Sequence, residues 1–304
     1  MHNLLLLIGC LLAGMALRRS GRVADNAHTA LNAIIIHLAL PAVTLRTMHG
    51  FDFEPGHLWP VLMPWALFAV GAAVFWLLGR RLGLSRSSIG ALTLVGGLGN
   101  TSFVGLPMIE SLHGRDGLGL GLLIDQLGSY LALSTVGVLA ATAYAAQGHT
   151  TLRAVLVKLA TFPPLLALAA ALLLRPLAFA PALDQALGRI GDMLAPLALL
   201  SVGMQLRFDA IALQARALCL GLGYKLVMCP ALVVAVLWLA DADAGMVTRV
   251  SVIEAAMPPM IGAGVVAAQA RLDAPLVSTM IGLGIPLGLA TAALWHWAFV
   301  WLCA

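Results

Sequence analysis

Apolar residues run along this chain in long blocks, and the polar residues collect in short gaps between them. A membrane-crossing helix needs about 20 predominantly apolar residues, fewer where the span is thin. The pattern predicts ten spans, over 3–17, 31–49, 58–79, 88–112, 117–146, 153–175, 185–206, 212–240, 246–270 and 273–302. A polar link, Gln147-Gly148-His149-Thr150-Thr151, divides them into five and five. An odd number of spans per half forces the halves into opposite orientations. The expected architecture is therefore an all-α polytopic membrane protein. Its first five-helix repeat would cover 1–147 and its second, inverted repeat 151–304, together making one membrane domain.

Two of the blocks break the pattern at matching places. The fourth contains Gly96-Gly97-Leu98-Gly99-Asn100-Thr101-Ser102-Phe103-Val104-Gly105-Leu106-Pro107, and the ninth contains Glu254-Ala255-Ala256-Met257-Pro258-Pro259-Met260-Ile261-Gly262-Ala263-Gly264. Glycines, prolines and polar side chains stand there where a lipid-facing helix would carry Leu and Val. Unwound backbone survives at membrane depth only where protein or a wet cavity covers it. Paired interruptions in corresponding positions of two halves point to a transporter binding site. A weaker echo of the repeat is Ala30-Leu31 before Pro41 in the second span and Ala186-Leu187 before Pro196 in the seventh.

Composition places the chain in lipid. Hydrophobic residues make up 61% of its 304 residues and charged residues 10%, against about 25% charged in a soluble domain. The formal net charge of +4 arises in short loops, so it bears on orientation and not on nucleic acid. If the N-terminus lies outside, eleven basic residues face the cytoplasm: Arg18, Arg19, Arg22, Arg80, Arg81, Arg86, Arg153, Lys158, Arg207, Arg216 and Arg271. Five face the other side: Arg46, Arg115, Arg175, Arg189 and Arg249. That bias fits the positive-inside rule with both termini outside the cytoplasm of a cell inner membrane. Leu7-Ile8-Gly9-Cys10 resembles a lipoprotein cleavage box, but no basic residue precedes the apolar run and three follow it, which is the wrong polarity for a signal peptide. The four cysteines are scattered through apolar runs and are read as buried hydrophobes, with no metal role.

The interruptions carry the candidate chemistry. Asn100, Thr101 and Ser102 offer an amide and two hydroxyls, and Pro107 removes one amide donor. Freed carbonyls with side-chain oxygens suit a small hard cation, while N–H groups at a half-helix N-terminus suit a carboxylate. Pro258 and Pro259 act likewise in the ninth block, with Gly262 allowing close backbone approach. Charges inside the membrane are costly and face a cavity or a partner. Glu254, and Asp125 with Gln126 and Ser129 beside it, are read as the coupling-ion site, with Asn100 contributing an oxygen and Na⁺ or H⁺ as the ion. Lys225 either neutralises a carboxylate or substrate anion, or snorkels. Asp192 and Glu110 read as structural. His37 reads as packed or hydrogen-bonded, and His296, between Trp295 and Trp297, reads as part of an interfacial belt.

Other classes find less support. None of the eight histidines is followed by Glu, so there is no His-Glu-x-x-His, and no Gly-x-Ser-x-Gly occurs. An enzyme is not expected, and neither is a cofactor. A ligand-binding membrane sensor that moves nothing is the alternative from a different class.

Several stretches resemble the auxin efflux carrier family. Gly99-Asn100-Thr101-Ser102-Phe103-Val104-Gly105-Leu106-Pro107 followed by His113-Gly114 looks like its fourth-helix signature. Leu38-Ala39-Leu40-Pro41-Ala42 resembles its second helix, Phe162-Pro163-Pro164 its sixth, Ala195 to Gly203 its seventh, and Tyr224-Lys225-Leu226 with Pro230 its eighth. The resemblance implies a fold similar to that of the bile acid:sodium symporters, with helices four and nine broken and crossing. Helices 1, 2, 6 and 7 would form a scaffold, the rest a core moving in an elevator-like manner. It implies a small organic anion as substrate, such as malonate or an auxin-like acid, and homodimers through the scaffold. The substrate would touch Asn100, Thr101, Ser102, Gly105, Pro107, Pro258, Pro259 and Gly262. Where the symporters place Gln-Asn at the second break, this chain has Pro258-Pro259, so their sodium site does not carry over whole. A Na⁺-coupled carrier of the symporter kind remains the alternative within the class.

Overall fold

The computed structural model describes residues 2–145, 151–206 and 214–302. Every named element among them is helical, and the one extended pairing is an isolated antiparallel bridge between Gly99 and Pro259. Six helical runs are long and apolar enough to cross a membrane: Ala27–His49, Pro55–Arg81, Leu118–Tyr144, Pro181–Gln205, Ala215–Leu239 and Ala274–Leu302. The other apolar blocks form His2–Arg19 and pairs of shorter helices. The fourth block splits into Arg86–Val95 and Leu106–His113, and the ninth into Met246–Ala255 and Ile261–Gln269. The sixth divides into Leu152–Ala160 and Pro163–Leu173. Phe162 there is extended, as the residue before a proline must be when the ring blocks its helical conformation.

Several runs contain π-helical turns, at Ile35–Ala39, Thr101–Gly105, Ile124–Tyr130, Leu133–Gly137 and Tyr224–Met228. Three of these end two residues before a proline, namely Pro41, Pro107 and Pro230. Proline lacks an N–H and its ring crowds the carbonyl four residues back, and a turn widened by one residue relieves that clash.

The chain forms two compact units. One comprises Met1–Glu54, Ser102–Leu122 and Leu156–Gln205; the other comprises Pro55–Thr101, Leu123–Val155 and Leu206–Ala304. In the first unit, His2–Arg19 packs on Leu194–Gln205 through glycines. A Cβ on Gly14 would strike the Leu200 carbonyl, and one on Gly203 the Leu11 carbonyl, so the backbones touch. Ser201 Oγ donates to Asn32 Oδ1, which ties this pair to the next helix. Arg46 forks onto Asp184, with Nε–Oδ1 at 2.8 Å and Nη2–Oδ2 at 2.9 Å, and Arg115 pairs with Asp192.

In the second unit, Gly71 admits the Tyr224 ring, whose hydroxyl donates to the Leu67 carbonyl. Trp65 Nε1 donates to the Leu127 carbonyl at 3.0 Å, and Trp295 Nε1 to the Leu226 carbonyl at 3.0 Å. Apolar side chains remain on the surface, among them Trp238 (66% exposed), Trp297 (64%) and Trp301 (79%), as lipid contact allows. Two expectations change here. His296 is buried, leaving Trp297 to the belt, and of the cysteines expected to be buried Cys219 is exposed and Cys10 half-buried. Cys303, Arg207 and residues 147–150 of the link lie outside the described residues.

Candidate functional site

The site is built where two helices of the second unit stop. Arg86–Val95 ends at two glycines for which no other residue would serve. A Cβ on Gly96 would lie 2.8 Å from both the Leu92 carbonyl and the Phe75 ring, and one on Gly97 would strike the Thr93 carbonyl. Met246–Ala255 ends before Pro258 and Pro259, which cannot donate backbone hydrogen bonds. Between these ends two extended segments run antiparallel. Asn100 N donates to the Pro258 carbonyl at 2.8 Å, and Met260 N donates to the Leu98 carbonyl at 3.1 Å. The prolines leave only such groups for pairing, so the bridge is short and its register is fixed. The helix Ala274–Leu302 supports it from behind. A Cβ on Gly284 would lie 2.6 Å from Pro259 Cδ, and one on Gly288 2.6 Å from Pro258 Cβ.

Charged and polar side chains cluster at this bridge in the buried interior. Glu254, in the last turn before the second break, is 1% exposed, and neither carboxylate oxygen has a hydrogen-bond partner. Lys225 is 2% exposed, and its Nζ donates to the Ala255 carbonyl at 3.1 Å, one of the carbonyls that a helix end leaves over. Its head group also explains Gly99, because a Cβ there would stand 3.1 Å from Nζ. Lys225 therefore does not snorkel. Thr101 Oγ1 donates to Asp125 Oδ1 at 2.6 Å, a short bond of the kind a carboxylate makes. Asp125 lies in the π-helical turn Ile124–Tyr130, beside the equally buried Gln126 and Ser129. Ser129 Oγ is buried without a hydrogen-bond partner.

Besides Glu254, Asp125 and Lys225 are the buried charged side chains among the described residues of this unit. With all three ionised the group would hold one ammonium against two carboxylates. A buried surplus of negative charge calls for a proton or a small cation. Among the described residues no group of three or more His, Cys, Asp and Glu could hold a metal ion of the kind those side chains ligate.

The structure thus brings Asn100, Thr101, Pro258 and Pro259 together with Glu254, Asp125, Gln126, Ser129 and Lys225 in one unit. Gly262 follows in the first turn of Ile261–Gln269, where a Cβ would be 3.3 Å from Leu133 Cδ2. Ser102, Gly105 and Pro107 continue the chain into Leu106–His113 and belong to the first unit. Glu110 and Asp192 line a separate cavity in that unit with Arg46, Arg115 and Asp184. Sequence reasoning missed Leu98 and Met260, which supply only backbone groups, and Gly284 and Gly288. The last two carried a signal, since glycines four apart on an apolar helix mark a face for close packing.

Comparison with known proteins finds membrane transporters. The profile of a family described as membrane transport protein matches residues 1–296. An uncharacterized transporter of Methanothermobacter thermautotrophicus is 26% identical over 291 residues, covering 93% of each chain. An uncharacterized transporter of Methanocaldococcus jannaschii is 24% identical over 307 residues, covering 98% of each. A membrane helix assembly broken at paired glycines and prolines, matched along almost its whole length by this profile, belongs to the auxin efflux carrier family of membrane transport proteins.

Proposed function

We propose that the chain is a secondary active transporter of a small organic anion, a carboxylate of the malonate or auxin-like kind, coupled to Na⁺ or H⁺. The observation that carries this reading is the hydrogen-bonded meeting of Leu98–Asn100 with Pro258–Met260, with buried Glu254, Asp125 and Lys225 around it. A transported anion needs donors that release it again, and a coupling cation needs oxygens that are not already satisfied. Asn100, Thr101, Ser102, Gly105, Pro107, Pro258, Pro259 and Gly262 would form the substrate site. Half-helix N–H groups would face the carboxylate. Glu254 and Asp125, with Asn100, Gln126 and Ser129, would take the coupling ion, and Lys225 would be their charge partner.

In this reading the two broken helices are the fourth and ninth of ten, in two inverted five-helix repeats over 1–147 and 151–304. Support comes from the compact units, each of which draws segments from both halves of the chain. The unit holding Met1–Glu54 and Leu156–Gln205, which also takes in Ser102–Leu122, would supply the scaffold of helices 1, 2, 6 and 7. The unit holding the bridge would be the transport core of an elevator-type carrier. The protein would reside in the cell inner membrane with both termini outside the cytoplasm, as a homodimer through its scaffold. Counterflow in proteoliposomes tests the reading. Purified protein preloaded with a carboxylate is expected to exchange a labelled one across the bilayer, and failure of every member of a broad carboxylate panel to exchange or bind would overturn it.

A further inference from the structure

A second cavity, of about 490 Å³, lies in the second unit away from the bridge. It is lined by Trp76, Arg80, Leu84, Arg86, Ile89 and Tyr144. Its walls are fixed by close packing. A Cβ on Gly79 would lie 2.8 Å from Ile89 Cγ1, and one on Gly90 2.5 Å from Tyr144 Cβ, so the helices Leu58–Arg81, Arg86–Val95 and Val138–Tyr144 meet at glycines. The two arginines are held in different ways. The Arg80 guanidinium sits 5.2 Å from the centre of the Trp76 ring, and Arg86 donates to the Ala143 carbonyl. A guanidinium carries five N–H donors, so each keeps most of them for another acceptor.

Among the described residues that line the cavity none is a carboxylate. Asp273, which accepts from Ser88 of the same helix at 2.7 Å, is also engaged by Gln214 and by the Leu276 N–H. The link that follows Tyr144 has no Asp or Glu before Arg153. Arginines at a helix end also answer the helix dipole and fix orientation. Those roles need no open cavity between two guanidinium groups and two aromatic rings.

Depth bears on what could occupy it. Pro55–Arg81 is a 27-residue apolar run, and Arg80 stands at its end, where a helix of that length reaches the polar headgroups. Trp76 is 50% exposed and Leu77 45%, so an apolar surface leads from the cavity down the helix. Phosphate above and acyl chain below is the shape of a phospholipid. We propose that this cavity binds the phosphodiester headgroup of an anionic phospholipid, held by Arg80 and Arg86 against Trp76 and Tyr144.

Native mass spectrometry of the purified protein, titrated with phosphatidylglycerol or with phosphatidylcholine of the same chains, tests the proposal. Wild type and R22Q, which loses a charge elsewhere, are expected to retain phosphatidylglycerol preferentially. R80Q/R86Q is expected to bind it at least about tenfold more weakly, with phosphatidylcholine unchanged. Wild-type protein gives a second measurement that does not depend on variants folding. Phosphatidylglycerol should protect Arg80 and Arg86 from phenylglyoxal, read by peptide mass, while inorganic phosphate at equal concentration should not. Equal retention of the two lipids, equal loss in R22Q, or protection by inorganic phosphate alone would each overturn the proposal.

Discussion

The two compact units treat charge in opposite ways. In the first, Arg46 meets Asp184, Arg115 meets Asp192 and Arg175 meets Asp52, all with substantial exposure. In the second, Glu254 is buried with neither oxygen hydrogen-bonded, and the hydrogen bond of Lys225 goes to a carbonyl instead of a carboxylate. Exposed pairs contribute little, about 0–1 kcal/mol each, and tie helix ends together. A buried charge without a partner lowers stability, so its presence needs another reason. In the proposed reading, the difference separates groups that hold the protein together from groups that would take an ion.

Four substitutions test that contrast. The largest effect is expected at Gly288, where any Cβ meets the rigid Pro258 ring. Gly288→Leu should abolish transport and lower thermal stability by about 1–3 kcal/mol, since overpacking here displaces the bridge. Next comes Glu254→Gln, which removes a buried ionisable carboxyl but keeps the shape. Gradient-driven uptake should fall at least about tenfold, while thermal unfolding in detergent should stay the same or rise. A loss of stability instead would place Glu254 with the structural charges.

Thr101→Val deletes the hydrogen bond to Asp125. Its cost should be about 1–3 kcal/mol in stability, with several-fold weaker coupling, read from unfolding and uptake on the same preparation. Asp184→Asn should do least. It removes an exposed pair worth about 0–1 kcal/mol, and exchange rates should stay within the error of wild type. A large loss of transport in this variant would erase the contrast between the units.

Much of this was legible in the residues. Gly96, Gly97, Pro258 and Pro259 mark both breaks, because helices cannot easily hold such residues in sequence. The buried acids were also legible, since Asp125 and Glu254 stand alone in apolar blocks. The pairing of Leu98–Asn100 with Pro258–Met260 was not, because backbone hydrogen bonds between distant segments leave no side-chain pattern. The fate of Lys225 was equally hidden: a four-carbon stem permits snorkelling or burial, and only the Ala255 carbonyl and the gap at Gly99 decide it. Hydropathy counted the fourth, sixth and ninth blocks as single spans because it registers apolar length and ignores where a helix stops. The π-helical turns before Pro41, Pro107 and Pro230 carried a signal in the prolines themselves, which a plain helical period does not register.

In the proposed reading, the bridge carries an anion while Glu254 carries the coupling cation. The most direct test of this reading compares counterflow exchange with gradient-driven uptake for wild type and Glu254→Gln in the same proteoliposomes, under an imposed Na⁺ or pH gradient. The account predicts that the variant still exchanges labelled carboxylate but no longer responds to either gradient. An unchanged response of the variant to the gradient that drives wild type would contradict it.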